Sequence, residues 1–182
     1  MRLLPALFLT LAVAGCGRAG AVALDRGPKR IVVNSTAIAP DRAIAMENSA
    51  YGANRSPALT WSPAGGARSY AIVVEDPDAP GTGPFVHWLI WNLPADARSL
   101  AGNVPAVPRP GGAVQGRNGG GSNGYYGPHP PSGVHHYHFE VFALDRMLGL
   151  APGSDLEALA RQMKGHVLAS GEAIGTFAAP AR

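Results

Sequence analysis

The alternation of apolar and polar residues predicts three principal strands. Residues 70–75 form a nearly continuous apolar run rich in β-branched side chains, which is typical of a buried strand. Residues 86–92 resume as a second strand after a loop in which Pro77 and Pro80 end the first, because proline cannot donate to a strand ladder. Residues 134–144 are the longest alternating run. These three runs predict a β-rich fold.

A period of two separates the side chains of the longest run onto two faces. His135 and Tyr137 lie on one face, whereas His136, His138 and Glu140 lie on the other. Both faces of this strand therefore carry side chains able to bind a ligand or a metal ion.

Weaker signals predict the remaining strands and loops. Residues 31–34 are a candidate first strand, residues 59–61 form a short extended piece, and residues 171–177 form a short closing strand or coil. Residues 95–115 are predicted as loop with one brief turn. Residues 116–131, rich in glycine and proline, are predicted as a long irregular segment, and such segments in compact domains are usually functional or disordered.

One helix is predicted near the carboxyl end. Ser154 and Glu157 have the spacing of a capping box. Apolar side chains follow at helical spacing, namely Leu156, Leu159, Met163 and Val167.

Composition agrees with short strands joined by many turns. The chain has 182 residues, of which 24 are glycine, 17 are proline and only 15% are charged. This length predicts one domain, assigned to residues 30–182, with a substantial core. The formal charge of +3 is small and no basic run occurs, so nucleic acid is not expected as a partner.

The amino-terminal segment is predicted to direct the protein to the bacterial envelope. Residues 1–15 hold an arginine and an apolar stretch that ends in small residues before Cys16, which resembles a lipoprotein signal peptide. Cys16 would then be lipidated and residues 16–29 would be a flexible tether, leaving the domain anchored to a membrane and facing the periplasm; an outer-membrane address is permitted. The alternatives are an ordinary signal peptide and a poor signal that stays attached. Because Cys16 is the only cysteine, thiol catalysis and a cysteine-based zinc site are excluded from the mature domain.

Side chains at the strand ends form the candidate site. Asp76 and Asp78 follow the first principal strand and His87 begins the second, so they can meet at one rim of a sheet with His135 and Tyr137. Imidazolium and phenol groups are donors for a phosphate or carboxylate, and a zwitterion such as phosphoethanolamine would suit both signs of charge. The alternative is that the two aspartates only cap turns.

Two other kinds of site have weaker support. His135, His136 and His138 suggest a metal site, or a hydrolase that uses a metal ion or these histidines, but the His-x-His-x-Glu pattern lacks the longer spacing of the cupin motif and no metal ligand is assigned. Residues 119–121 are three consecutive glycines whose N–H groups could approach an anion, although a flexible loop is the alternative. No nucleophile elbow occurs, so no catalytic residue and no cofactor are predicted.

In this order, the residues resemble the phosphatidylethanolamine-binding protein family, in its bacterial Raf-kinase-inhibitor-like branch. The resemblance covers roughly residues 30–177. Its most specific part is Asp76-Pro77-Asp78-Ala79-Pro80, followed by His87-Trp88 and by the Gly-x-His-x-Tyr strand that holds His135 and Tyr137. Further matches are Asn54-Arg55-Ser56-Pro57, Leu59, Trp61, Asn118, Tyr125, Gly127-Pro128, Pro130-Pro131 and Gly165-His166-Val167-Leu168.

The resemblance implies a mainly β fold in which a large central sheet packs on a smaller sheet, with a carboxyl-terminal helix. It also implies a small anion pocket for phosphate, acetate or a phospholipid headgroup. Carried over by position, that pocket consists of Asp76, Asp78, His87, Gly127, His135 and Tyr137.

The sequence departs from the family pattern at three places. His136 stands where the family usually has arginine, residues 119–121 replace an acidic–aromatic pair, and His129 stands where bacterial members often have cysteine.

The first hypothesis for the function is a non-enzymatic, lipid-anchored binding protein for a small anion or phosphorylated headgroup. A hydrolase and an inhibitor of a protease or kinase partner are the alternatives.

Overall fold

The computed structural model describes residues 22–181, so the predicted signal peptide (residues 1–15) and Cys16 lie outside the described residues. Within that range one α-helix, α1, spans Leu156–Met163, and a 3₁₀-helix spans Met46–Asn48. The strands are β1 (Lys29–Arg30), β2 (Val33–Asn34), β3 (Leu59–Trp61), β4 (Ser69–Asp76), β5 (Phe85–Pro94), β6 (Ser99–Leu100), β7 (Val114–Gln115), β8 (Val134–Leu144) and β9 (Val167–Ala178).

The strands form two sheets. The large sheet has the order β1-β9-β8-β4-β5-β7, and the small sheet has the order β2-β3-β6. All pairings are antiparallel except the short parallel pairing of β1 with β9. The predicted fold class, a large sheet with a smaller sheet and a carboxyl-terminal helix, is therefore confirmed.

Apolar side chains cover both faces of the large sheet. One face packs toward the small sheet through aromatic residues that include Trp61, Trp88 and Phe139. The other face packs against α1 through Trp91 and Phe142. The strands at the centre of the sheet are thus buried on both sides, which explains the nearly continuous apolar run in β4.

The carboxyl end differs from the prediction. Val167 opens β9 and does not belong to the helix, and β9 has 12 residues where a short strand was expected. Asp155 caps the helix, and its carboxylate accepts the N–H of Ala158 at 2.9 Å, whereas the hydroxyl of Ser154 donates to the carbonyl of Ala151. The predicted capping box is therefore wrong by one residue.

The segment before β1 is packed against the domain. Val22 and Leu24 lie against the core under α1, and the guanidinium of Arg26 donates to Glu140 at 2.5 Å. The carboxylate of Asp25 accepts the N–H groups of Gly27 and Gly165. The prediction of a flexible tether over residues 16–29 is consequently wrong for residues 22–29. No helix among the described residues is long and apolar enough to cross a membrane.

Candidate functional site

A cavity of about 200 Å³ opens at the rim where β4 ends and where β5 and β8 begin. Antiparallel pairing places the end of β4 beside the starts of both neighbours, so three predicted side chains meet there. The lining consists of Asp76, Ala79, Pro80, Phe85, His87, Tyr126, His129, Pro131 and His135.

Asp76 and His135 form a buried pair. Nδ1 of His135 lies 2.7 Å from Oδ2 of Asp76, and both side chains are almost fully removed from solvent. A carboxylate accepts but does not donate, so Nδ1 of His135 carries the proton. This arrangement fixes the ring and leaves its Nε2 for a ligand.

His87 is held in a different electrostatic setting. Its Nδ1 lies 2.5 Å from the carbonyl oxygen of Tyr126, which can only accept, so Nδ1 carries the proton here too. Burial lowers the pKa of His87 to about 4, against smaller opposing effects that include the Tyr126 hydrogen bond and the charge of Asp76. At neutral pH the ring is uncharged, and its Nε2 is an acceptor.

Tyr137 lies beneath the cavity. Its ring packs edge-on against the His87 ring with centroids 5.1 Å apart, and its buried hydroxyl has no hydrogen-bond partner among the described residues. Burial, followed by the charge of Asp76, raises the pKa of the phenol. The phenol is therefore neutral, and the carboxylate of Asp76 and the backbone of His129 lie close to its hydroxyl.

Aromatic rings form the wall of the cavity that sequence reasoning missed. Phe85 and Tyr126 pack near His87, with Phe85 and His87 centroids 4.8 Å apart, and His129 stacks on Tyr51 at 4.4 Å. His129 was noted only as a departure from the family pattern. No local signal marks these residues, because the irregular segment folds back onto β5 through non-local contacts.

Three predicted site residues do not line the cavity, namely Tyr137, which lies beneath it, Asp78 and Gly127. The carboxylate of Asp78 is exposed and binds His136, accepting the backbone N–H at 2.8 Å and lying 2.7 Å from Nδ1. These hydrogen bonds, the side-chain one first, lower the pKa of Asp78. His136, which stands in place of the usual arginine, thus pairs with Asp78 at the edge of the site.

Gly127 is a packing residue, not a donor to the cavity. Its N–H donates to Oδ1 of Asn54 at 2.7 Å, and a Cβ at this position would collide with the carbonyl oxygen of Asn48. Asn54 itself has a positive φ of 53°, a conformation that asparagine tolerates better than most residues.

The glycine run is likewise unavailable to an anion. Gly119 donates its N–H to the carbonyl of Val86, Gly120 to Oδ1 of Asn118, and Gly121 to the carbonyl of Asn118. The hypothesis that these three groups bind an anion is wrong, since all three already have partners.

The three neighbouring histidines do not converge on one metal ion. His135 faces the cavity with Asp76, and His136 pairs with Asp78. His138 lies on the other face of the sheet, where its Nδ1 is 2.9 Å from Oε2 of Glu172.

The family follows from the comparison with known sequences. The profile described as phosphatidylethanolamine-binding protein matches residues 34–178, a range that includes every element from β3 to β9. The chain belongs to this family. The cavity is built from the residues that carry the family resemblance, with Asp76, His87 and His135 all in its lining.

Several relatives extend across this family domain. A UPF0098 protein of Methanothermobacter thermautotrophicus is 47% identical over 69% of this chain and 84% of its own length. A Mycobacterium tuberculosis protein named as a lipoprotein, LppC, is 35% identical over 94% of this chain and 92% of its own length.

Solved structures show the same fold. The crystal structure of CT736 from Chlamydia trachomatis, described as a homologue of the family, has a TM-score of 0.76 and 34% identity, and the match covers 84% of this chain and 100% of CT736. Escherichia coli YbcL, described as a member of the mammalian family, also has a TM-score of 0.76, with 31% identity over 83% of this chain and 99% of YbcL.

Proposed function

We propose that this protein is a non-enzymatic binding protein whose cavity takes a small phosphate-type anion or a phosphorylated headgroup. The observation that carries this proposal is the convergence of His87 and His135 on one partly enclosed cavity, with the ring of Tyr137 packed against His87 beneath it. A volume of about 200 Å³ suits a group the size of phosphate or phosphoethanolamine, and it excludes the acyl chains of a lipid.

The protonation of the site selects among anions. None of the described residues that line the cavity is lysine or arginine, and Asp76 brings a negative charge. Neutral His87 offers a lone pair at Nε2, so it favours a ligand that carries its own proton. A monoprotonated phosphate monoester can donate its proton to Nε2 of His87, whereas a fully ionised anion cannot.

The amine of phosphoethanolamine also has a place. Aromatic faces attract a cation, and Phe85, Tyr126 and His129 border the cavity. A zwitterionic headgroup would therefore place its phosphate near the histidines and its amine against this wall or near the carboxylate of Asp76.

We further propose that Cys16 anchors the protein by lipid in the bacterial envelope, facing the periplasm. The likeness to the protein named as the lipoprotein LppC, over 94% of this chain, supports this assignment. Five residues separate Cys16 from Val22, the first packed residue, so the Cα atoms of Cys16 and Val22 can lie at most about 20 Å apart.

The test compares phosphoethanolamine with sulfate, which has a similar shape but carries no proton near neutral pH. Melting temperatures of the full-length protein in detergent are measured one pH unit below and one above the monoester pKa of about 6. We expect phosphoethanolamine to raise the melting temperature more at the lower pH, and sulfate to have little effect at either pH.

Two variants localise the response. Tyr137→Phe removes only the hydroxyl and should weaken the effect, whereas His166→Gln, at a partly exposed histidine paired with Asp145, is the matched control and should leave it unchanged. Equal stabilisation of the wild-type protein and Tyr137→Phe, or no stabilisation by phosphoethanolamine or phosphate, would overturn the proposal.

One observation favours the hydrolase alternative. The Asp76–His135 pair has the geometry of a general base with its orienting carboxylate, at 2.7 Å. The lining residues include no serine, threonine or cysteine, so water would have to be the nucleophile. Release of phosphate from a chromogenic monoester, lost in His135→Gln, would support this alternative over simple binding.

A further inference from the structure

A second polar cluster lies on the face of the large sheet opposite the cavity. His138 and Glu140 point away from His135 and Tyr137 because side chains alternate along β8, and Glu172 lies directly across from Glu140 on β9. One possible ligand atom from each of the three side chains lies within 4.8 Å of the others. Glu172 is far from His138 in sequence, so only the pairing of β8 with β9 reveals this cluster.

Carboxylate charge is crowded at this place. Glu140 and Glu172 form a directly opposed pair, an arrangement that destabilises a sheet when both carry like charge. Glu75 adds a third carboxyl group, since it lies opposite His138 in the register of β4 with β8. Arg26 supplies a guanidinium, which bonds one oxygen of Glu140 and is about half exposed.

The second oxygen of Glu140 lacks a partner. The side chain is only 3% exposed, Oε1 accepts from Arg26, and Oε2 is buried without a hydrogen bond among the described residues. A buried carboxylate oxygen without a donor or a cation carries a large desolvation cost. This oxygen is the observation that points to a missing ligand.

We propose that His138, Glu140 and Glu172 bind a divalent transition-metal ion through one imidazole nitrogen and two carboxylate oxygens. Mixed imidazole and carboxylate ligands suit zinc and similar ions better than magnesium or calcium. The ion takes Oε2 of Glu140 and replaces the proton now shared by Nδ1 of His138 and Oε2 of Glu172, which are 2.9 Å apart. Arg26 keeps its bond to Oε1.

Small movements complete the geometry. Ligand atoms around a tetrahedral zinc ion stand about 3.4 Å apart, so the widest spacing, within 4.8 Å, must close by roughly 1 Å, while Nδ1 of His138 and Oε2 of Glu172, now 2.9 Å apart, must separate slightly. The side chains of His138 and Glu172 are 29% and 39% exposed and are free to make this shift, whereas buried Glu140 fixes the position. The ion would join β8 to β9 beside the packed amino-terminal segment.

Zinc binding to the full-length protein, stripped with a chelator and held in detergent, tests this proposal. Titration calorimetry should give one saturable site per chain, and cobalt should produce absorption bands of a nitrogen- and oxygen-coordinated ion. Glu172→Gln and His138→Gln should each weaken zinc binding by about tenfold or more, because each removes a ligand. Neither side chain is buried, so both variants are expected to fold.

His136→Gln is the matched control, since His136 is an exposed histidine on the same face of the same strand but pairs with Asp78. It should leave zinc affinity unchanged. Absence of a saturable site would overturn the proposal, and so would binding that survives both ligand substitutions or that falls equally in His136→Gln. The phosphoethanolamine response of Tyr137→Phe is independent of these outcomes, because the two sites lie on opposite faces of the sheet.

Discussion

At the scale of single residues, the cavity depends on what each histidine bonds through Nδ1. His135 bonds a carboxylate, which keeps a negative charge beside its ring, while His87 bonds a carbonyl in a more desolvated position. Both rings expose the same atom, Nε2, to a ligand. The two histidines thus differ in electrostatic environment, and neutral His87 presents an acceptor to a ligand.

Buried His87 predicts a specific pH dependence of stability. Its pKa falls from 6.5 to about 4 on folding, so the unfolded chain binds more protons between these values and stability declines as pH falls through this window. The full effect is about 3 kcal/mol at 1.4 kcal/mol per pH unit.

Urea unfolding of the wild-type protein and His87→Gln over this pH range measures the effect. As the pH falls towards 4, the wild-type protein should lose unfolding free energy relative to His87→Gln, because the variant lacks the titrating imidazole. The other titrating groups are common to both proteins. Parallel curves would show that His87 titrates normally in the folded protein.

Residues at strand ends could be predicted because the rules that place them are local. Period-two alternation and antiparallel adjacency suffice to bring Asp76, His87 and His135 to one rim. Asp78 was assigned from its place at the end of the same strand and Gly127 by resemblance alone, but the structure binds the carboxylate of Asp78 to His136 and the N–H of Gly127 to Asn54. The partner of a polar group depends on tertiary contacts, which no local pattern records.

At the scale of elements, the end of the helix has a local signal in the sequence, whereas the length of β9 has none. Gly165 has a positive φ of 77° just after the helix, a conformation that ends helices and that the glycine itself signals. Apolar spacing alone wrongly extended the helix to Val167. No local signal in the sequence of β9 predicts its length of 12 residues. That length is set by pairing with β8, and only β8 has a clear alternating pattern.

The loop that supplies the cavity wall is organised by Asn118. Its buried side chain accepts the N–H groups of Gly120 and Ser122 and donates to the carbonyl of Gly124. Asn118→Ala should therefore lower the unfolding free energy by about 2–3 kcal/mol, because several buried groups lose their partners. It should also weaken phosphoethanolamine binding, since Tyr126 and His129 follow in the same segment.

Asn118→Asp is the informative comparison for this element. A carboxylate keeps the acceptor for Gly120 and Ser122 but cannot donate to Gly124, so it should restore part of the lost stability. Urea unfolding and ligand titration of the three proteins give both quantities. If Asn118→Ala bound phosphoethanolamine as well as the wild-type protein, the loop would not define the cavity wall.

At the scale of the whole molecule, the packed amino-terminal segment connects three parts of the domain. Val22 and Leu24 cover apolar side chains under α1, Asp25 caps the turn at Gly165, and Arg26 reaches Glu140 on β8. The segment closes the face of the sheet opposite the cavity. A lipid anchor at Cys16 would therefore connect to the domain through a segment that is packed against it from Val22 onward.

A chain that begins at Lys29 should be less stable than the full-length protein. It loses the apolar cover of Val22 and Leu24 and leaves the carboxylate of Glu140 buried without its guanidinium, and removing one partner of a buried pair is usually more costly than removing both. Adding Glu140→Gln to the shortened chain should recover a large part of the loss, because the amide carries no charge. Melting temperatures of the full-length and shortened chains, each with and without Glu140→Gln, measure these effects. A chelator is present so that no metal ion takes the place of Arg26. Equal losses with and without Glu140→Gln would assign the stabilisation to the apolar contacts alone, and an unchanged melting temperature on shortening would show that the segment is not part of the folded unit.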